Sequence, residues 1–154
     1  MKIQDILQSP IGSIYIVADD REIFSISYEP IDGEIAGENA LTRLTKKELK
    51  EYFDKRRTSF DLPLHRCGTM FQRAVYRALE EIPYGETRSY RQIADKIGRP
   101  RAARAVGAAN HVNPFSIVIP CHRVIGKSGA MVGYGGGIPK KEYLLNLERG
   151  KEKI

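Results

Sequence analysis

Residues 88–110 read RSYRQIADKIGRPRAARAVGAAN, and this stretch decides how the second half of the chain is organised. Ser89, with Gln92 three residues on, is a capping-box pattern: each side chain satisfies a backbone N–H that the start of a helix leaves free. Ile93, Ala94 and Ile97 supply an apolar face, and Gly98 can adopt the left-handed conformation that stops a helix. Pro100 suits the first position of a helix, so a second helix is predicted to open there and run through RAARAVGAAN. Its alanines and Gly107 are small enough for close approach to another surface, and it carries Arg101 and Arg104. A helix, a tight glycine turn and a small-residue helix bearing arginines form a helix-turn-helix pattern. The same residues also fit an ordinary packed helix pair with a solvated basic face.

Charge favours the first of these readings. Arg88, Arg91, Lys96, Arg99, Arg101 and Arg104 face a single acid, Asp95, whereas residues 18–38 are acidic. The net charge of +6 is therefore concentrated on the helical pair, as a nucleic-acid partner would require. Hydrophobic residues make up 42% and charged residues 29% of the 154, a globular composition sufficient for one ordinary domain or two small ones. No apolar run approaches the roughly 20 residues that span a membrane, and the N-terminus MKIQDILQSP carries no long apolar segment. No membrane partner and a cytoplasmic setting are expected. Cys67 and Cys121 imply no disulfide framework, although a single bridge between them stays open.

The rest of the chain places this pair in an α+β protein. Thr69 with Gln72 forms another capping box, and Phe71, Val75, Leu79 and Ile82 recur at helical spacing until Pro83-Tyr84-Gly85. In the first half, Ile3, Ile6 and Leu7 lead to a turn at Ser9-Pro10-Ile11-Gly12, and IYIVA and IFSISY read as strands. Residues 31–39 look loop-like. A helix is predicted over 41–56, with Leu44, Leu49, Tyr52 and Phe53 on one face, followed by a short extended piece at 60–64. A linker near His65–Gly68 divides the chain into a small sheet-and-helix domain, 1–65, and a mostly helical domain, 66–154.

The chemistry concentrates in IVIPCHRVIG, residues 117–126. Ile117–Ile119 read as a buried strand that Pro120 ends, so that Cys121 opens a turn. A lone cysteine is more often an inert small hydrophobe. Here His122 and Arg123 follow directly, where an apolar continuation would be cheaper. A thiol with pKa near 8.5 is only a few per cent thiolate at neutral pH, so an adjacent base has a purpose. His122 is the candidate base, acting through a water, and Glu148 on the C-terminal segment KKEYLLNLE is a carboxylate able to orient it.

The pentapeptide Pro120-Cys121-His122-Arg123-Val124 resembles the active-site signature of the O6-alkylguanine-DNA alkyltransferases, also called methylated-DNA–protein-cysteine methyltransferases. The likeness extends to IPYGET (82–87), Ser89-Tyr90, RAVG (104–107), Asn113-Pro114, GGG (135–137) and Leu144, Leu145 and Glu148. It covers residues 69–148. The resemblance implies a ribonuclease H-like N-terminal domain followed by a winged helix-turn-helix domain that docks in the minor groove. It implies direct-reversal repair: irreversible, single-turnover transfer of the alkyl group from O6-alkylguanine in double-stranded DNA to Cys121, with O4-alkylthymine left open. No cofactor or metal is implied, and the protein is expected to act as a monomer.

Residue by residue, the resemblance makes Cys121 the alkyl acceptor, His122 the water-mediated base and Glu148 its orienter, with Asn113 stabilising the turn that leads to Cys121. Tyr90 donates a hydrogen bond to the flipped base, and Arg104 enters the duplex behind it. The carbonyls of Cys121 and Val124 take the exocyclic amine, and the amide of Gly135 approaches O6; Arg123 and Tyr134 are counted with the DNA- and base-binding set. Two departures stand out: a hydroxyl residue is common where Gly135 stands, and Asn110 occupies a position where an apolar residue can pack against DNA. A lesion binder without transfer, a Cys-His-Glu hydrolase and a plain winged-helix regulator are the competing readings. The first is opposed by the presence of Cys121, the second by the basic helices, and the third by the Cys-His pair.

Overall fold

The computed structural model describes residues 1–126 and 134–150, and its internal contacts divide the chain into two compact units, Met1–His65 and Arg66–Ile154. In the first unit, β1 (Ile3–Ser9), β2 (Gly12–Ala18) and β3 (Ile23–Ser27) form an antiparallel meander, and β4 (Ile35–Ala36) adds in parallel to β1. The sheet order is β3-β2-β1-β4. The short β4 lies in the segment expected to be loop. Its residues are exposed, so no buried alternation marks it as a strand.

Helix α1 (Ala40–Phe53) covers this sheet, starting from a capping box between Asn39 and Thr42. It buries Leu41, Thr45, Leu49 and Tyr52, spaced for one helical face, while Leu44 is exposed. The face is thus rotated from the expected one, because Thr42 and Thr45 take inner positions that hydrophobicity alone assigns to leucine. Thr45 can do so because its hydroxyl donates to Leu41 O at 2.8 Å, leaving its methyl group to pack. The helix also ends earlier than the predicted Arg56. Lys55 takes φ 63°, its N–H bonds to Tyr52 O, and Arg56 N–H bonds to Glu51 O. That is a Schellman closure without the glycine that normally announces it.

In the second unit, α2 (Met70–Glu80) and α3 (Tyr90–Lys96) both begin with the expected capping boxes, Thr69 with Gln72 and Ser89 with Gln92. Gly98 lies at φ 76°, and Arg99 N–H reaches back to Ala94 O, closing α3 as read. Helix α4 (Ala103–His111) starts three residues after Pro100, not at it. Pro100 instead sits inside a turn closed by Ala102 N–H to Arg99 O at 2.9 Å, a position where its fixed φ is equally suitable. Helices α2, α3 and α4 pack on one another through Val75, Leu79, Ile93, Ala94, Val106 and Ala109. Beyond a single 3₁₀ turn at Cys121–Arg123 come β6 (Val124–Ile125) and α5 (Ile138–Arg149).

The pairing that positions the site is small. β5 (Arg88–Ser89) runs parallel to β6, with Arg88 opposite Val124 and Ser89 opposite Ile125. Tyr90 directly follows β5 and Cys121–Arg123 directly precede β6, so two hydrogen-bonded residues on each strand bring the first turn of α3 beside the Cys-His-Arg turn.

Candidate active site

The segment leading to Cys121 is not the strand that its apolar residues suggest but a succession of tight turns. Val118 N–H donates to Ser116 O at 2.8 Å across Ile117, whose φ is 72°. An i→i+2 bond with positive φ is the rare, strained form of γ-turn, and a β-branched residue in that region costs on the order of 1–3 kcal/mol. Ile117 tolerates it because its side chain is buried. Cys121 N–H then donates to Ile119 O at 2.7 Å across Pro120, at φ −79° and ψ 63°, an inverse γ-turn. Three buried apolar side chains in a row can fill a core from turns as well as from a strand, so the pattern could not separate the two.

Asn113 holds these turns. Its Nδ2 donates to Ile119 O at 2.9 Å and Phe115 O at 3.3 Å, and its Oδ1 accepts from Phe115 N–H at 3.0 Å. Its amide also favours the charged form of the Cys121 thiol. Cys121 itself is 4% exposed, and burial pushes its thiol up to about 11, against the opposing pull of Asn113 and of the Lys141 charge. The resting acceptor is therefore a neutral thiol.

Beside it lies a buried ionic hub. Glu148 Oε2 accepts from His122 Nε2 at 2.6 Å and from Arg123 Nη2 at 3.0 Å, while Oε1 accepts from Arg123 Nε at 2.7 Å and Gly85 N–H at 3.2 Å. Arg123 completes its set by donating Nη1 to Ile82 O at 2.8 Å. Burial alone would push the Glu148 carboxyl up, but the hydrogen bonds from His122 and Arg123 and the Arg123 charge hold it well below the usual carboxylate range. Burial lowers His122, so its imidazole is neutral. With Nε2–H directed at the carboxylate, Nδ1 is the basic nitrogen, and it has no partner among the described residues. Gly85 can approach this hub because it has φ 82°, and a Cβ there would sit 3.3 Å from Glu148 O.

Lys141 and Asn110 complete the surroundings. Lys141 is fully buried in α5 and donates Nζ to Val124 O at 2.5 Å; burial lowers its affinity for a proton, opposed by Cys121. Asn110, on α4, is buried and donates Nδ2 to Cys121 O at 3.3 Å. The sequence reading missed Lys141 altogether and took Asn110 only as a position facing DNA. A lysine within KKEY and an asparagine on a basic helix look like surface residues, and nothing local marks them as buried.

Family models match almost the whole chain. Residues 3–65 fit the 6-O-methylguanine DNA methyltransferase ribonuclease-like domain, and residues 70–150 fit the DNA binding domain of the same family. The chain belongs to the methylated-DNA–protein-cysteine methyltransferase family. It is 45% identical over 150 residues to the methylated-DNA–protein-cysteine methyltransferase of Methanosarcina barkeri, covering 94% of this chain and 95% of that one. The constitutive enzyme of Bacillus subtilis is 43% identical over 152 residues, with 92% of each chain covered. Among solved structures, the O6-methylguanine methyltransferase of Mycobacterium tuberculosis superposes with a TM-score of 0.88 at 41% identity, over 99% of this chain and 96% of that one. A DNA complex from the same organism gives 0.90 at 43%, over 96% and 93%. The mixed fold is that of a methyltransferase in this family, with a ribonuclease-like unit and a helical DNA-binding unit.

Within this methyltransferase framework the structure brings Cys121, His122, Glu148, Asn113 and Val124 together. Tyr90 lies half-buried at the start of α3. Burial raises its phenol, with a further contribution from Cys121, and its ring approaches within 3.7 Å of the position a Cβ on Gly107 would take. Arg104 is exposed on α4. Tyr134 is buried, and Gly135 is exposed, where a Cβ would come within 3.2 Å of His111 O. Arg123 corrects its expected role. Its guanidinium is buried and engaged by Glu148 and Ile82, which leaves it an internal support, not a group that meets DNA. Asn110 likewise points inward to Cys121 instead of presenting a surface to a duplex.

Proposed function

We infer that this protein repairs alkylated DNA by transferring the alkyl group from O6 of guanine to Sγ of Cys121, once per molecule. The observation that carries this reading is the buried thiol of Cys121 beside the His122–Glu148–Arg123 hub, in a chain that belongs along nearly its whole length to the methyltransferase family. A thiol this enclosed cannot meet a base inside an intact duplex, so the nucleotide has to rotate out of the stack. Tyr90 at the start of α3 and Arg104 on α4 are the side chains proposed to assist that rotation.

The transfer itself is a displacement. The thiol proton passes through a water to Nδ1 of His122, and Glu148 stabilises the imidazolium that forms. The thiolate attacks the alkyl carbon, an S–C bond forms as the C–O6 bond breaks, and the guanine takes up a proton as it leaves. The thioether has no thiolate to regenerate, which makes the protein a stoichiometric reagent. The acceptor set comes from one chain, which supports action as a monomer on double-stranded DNA, and a free acceptor thiol fits a reducing cytoplasm.

The test is Cys121→Ala. The variant should bind an O6-methylguanine duplex about as well as wild type and transfer no methyl. Continued removal of the methyl group by this variant would exclude Cys121 as the acceptor.

A further inference from the structure

The first unit carries a segregated charge that the reaction at Cys121 does not use. Met1–His65 holds nine lysines and arginines against twelve acids, so it is acidic overall. Seven of the nine cations nevertheless lie between Arg43 and Arg57, on α1 and the turn that closes it, with only three of the acids. Arg43, Lys46, Lys47 and Lys50 recur at spacings of three and four, which sets them side by side on the helix surface. Like charges at that spacing destabilise a helix, and a carboxylate four residues away is what relieves them. Glu51 and Asp54 stand at that distance from Lys47 and Lys50 but are taken by others: Arg57 holds Glu51 at 2.9 Å, and Arg56 holds Asp54 at 3.2 Å. Glu48 is buried, with its carboxylate 3.5 Å from Arg57. Lys47 and Lys50 are thus exposed, and their side chains have no partner among the described residues. With Arg43, Lys46 and Arg56 they line an open groove whose one acid is Glu51.

We propose that this face of α1 is a further DNA contact, binding the phosphodiester backbone of a duplex through Lys47, Lys50 and the cations beside them. The inference rests on the DNA-repair reading and adds to it a surface in the unit that holds none of the acceptor residues. A row of flexible cations with no aromatic ring to stack on a base fits phosphates and carries no sequence information. A protein partner would require apolar or aromatic anchors, and the groove is lined by neither. Phosphate contacts of this kind supply sequence-independent affinity. The face therefore serves to hold the protein on undamaged DNA while a lesion is sought.

The experiment measures binding of the whole chain to an undamaged duplex over a range of salt concentrations. Each phosphate contact contributes about 0.9 to the slope of log affinity against log salt. Lys47→Gln/Lys50→Gln should therefore reduce the slope by roughly two. Both lysines are exposed and remote in sequence from the acceptor turn, so transfer to Cys121 from a small O6-alkylguanine free base should keep its wild-type rate. A control, Lys2→Gln/Arg21→Gln, removes the same charge from the same unit outside the groove and should leave the slope unchanged. Titration with excess duplex separates the two sources of phosphate. A fall in slope for the first duplex bound places the phosphates on the duplex held by the helix-turn-helix, and a fall confined to a second bound duplex places them on a neighbouring segment. An unchanged slope for both, or an equal fall in the control, would overturn the proposal and leave the groove a solvated face. Failure of the underlying reading is distinct: wild type would then bind duplex DNA but transfer no methyl from O6-methylguanine to Cys121.

Discussion

Glu148 and His122 meet at 2.6 Å with both side chains fully enclosed, and the same carboxylate is gripped by Arg123 at 2.7 Å. One carboxylate thus fixes the tautomer of His122 and neutralises a buried guanidinium. Glu148→Gln leaves Arg123 buried without a counter-charge. It should cost several kcal/mol of stability, on the order of 3–5 as for other broken buried pairs. The transfer rate should fall as well, since the imidazolium loses its stabilising charge. Denaturant unfolding and single-turnover kinetics on the same preparation separate the two effects. A folded variant with an unchanged rate would remove Glu148 from the proton path.

Acid should weaken the fold through the same pair. Glu148 titrates below its ordinary 4.5 in the folded state, so its contribution is present above that value and is lost as the pH falls through it. His122 is held neutral by burial, whereas in the unfolded chain it takes up a proton near 6.5, which destabilises the fold below that pH. Melting temperature should therefore begin to drop below about pH 6.5 and fall more steeply below about 4.5. A flat profile from pH 7 to 4 would contradict the buried hub.

Alkali acts through Cys121, with the sign reversed. Its thiol is raised to about 11 in the fold from an ordinary 9.0, so the unfolded chain ionises first and stability declines as pH rises above 9. The loss is at most on the order of 2–3 kcal/mol and should be absent in Cys121→Ser. Transfer from a small O6-alkylguanine free base should accelerate by roughly tenfold per pH unit between 7 and 9, where the thiolate is a minor species. Rates that level off by pH 8 would mean that the thiol is already ionised.

Lys141 sits fully buried in contact with the Val124 carbonyl, and its charge favours the Cys121 thiolate. Lys141→Met should slow transfer at neutral pH and displace the pH–rate profile to higher pH. A slower variant with an unmoved profile would assign the lysine to packing alone.

Arg104 offers the complementary case, a group outside the proton path. Arg104→Ala should slow repair of duplex DNA roughly tenfold, since flipping a base costs a few kcal/mol. It should leave reaction with the free base unchanged. Equal slowing of both would show that Arg104 acts on the thiol and not on the duplex.

Local signals in the sequence were legible where the physics is local. The capping boxes at Thr69 and Ser89 and the Gly98 stop each involve residues within a few positions of one another, and the structure places all three as read. Local turns without a marker residue, and pairing over long separations, were not legible. The end of α1 rests on Lys55 adopting a conformation usually left to glycine, and the turn at Ile117 hides inside an apolar run. The roles of Arg123, Lys141 and Asn110 depend on partners contributed by other elements: Glu148 on α5, Val124 on β6 and Cys121 on the 3₁₀ turn. A charged or amide side chain reads as solvent-facing until that partner is in view.

The most direct test of alkyl transfer to Cys121 is stoichiometric. Wild-type protein is incubated with increasing amounts of a duplex containing one O6-methylguanine, and the intact protein and its Cys121 peptide are weighed by mass spectrometry. A single added methyl on Cys121, with repair ceasing at one lesion per protein, is the predicted result. Binding without a change in mass, or continued turnover beyond one equivalent, would contradict it.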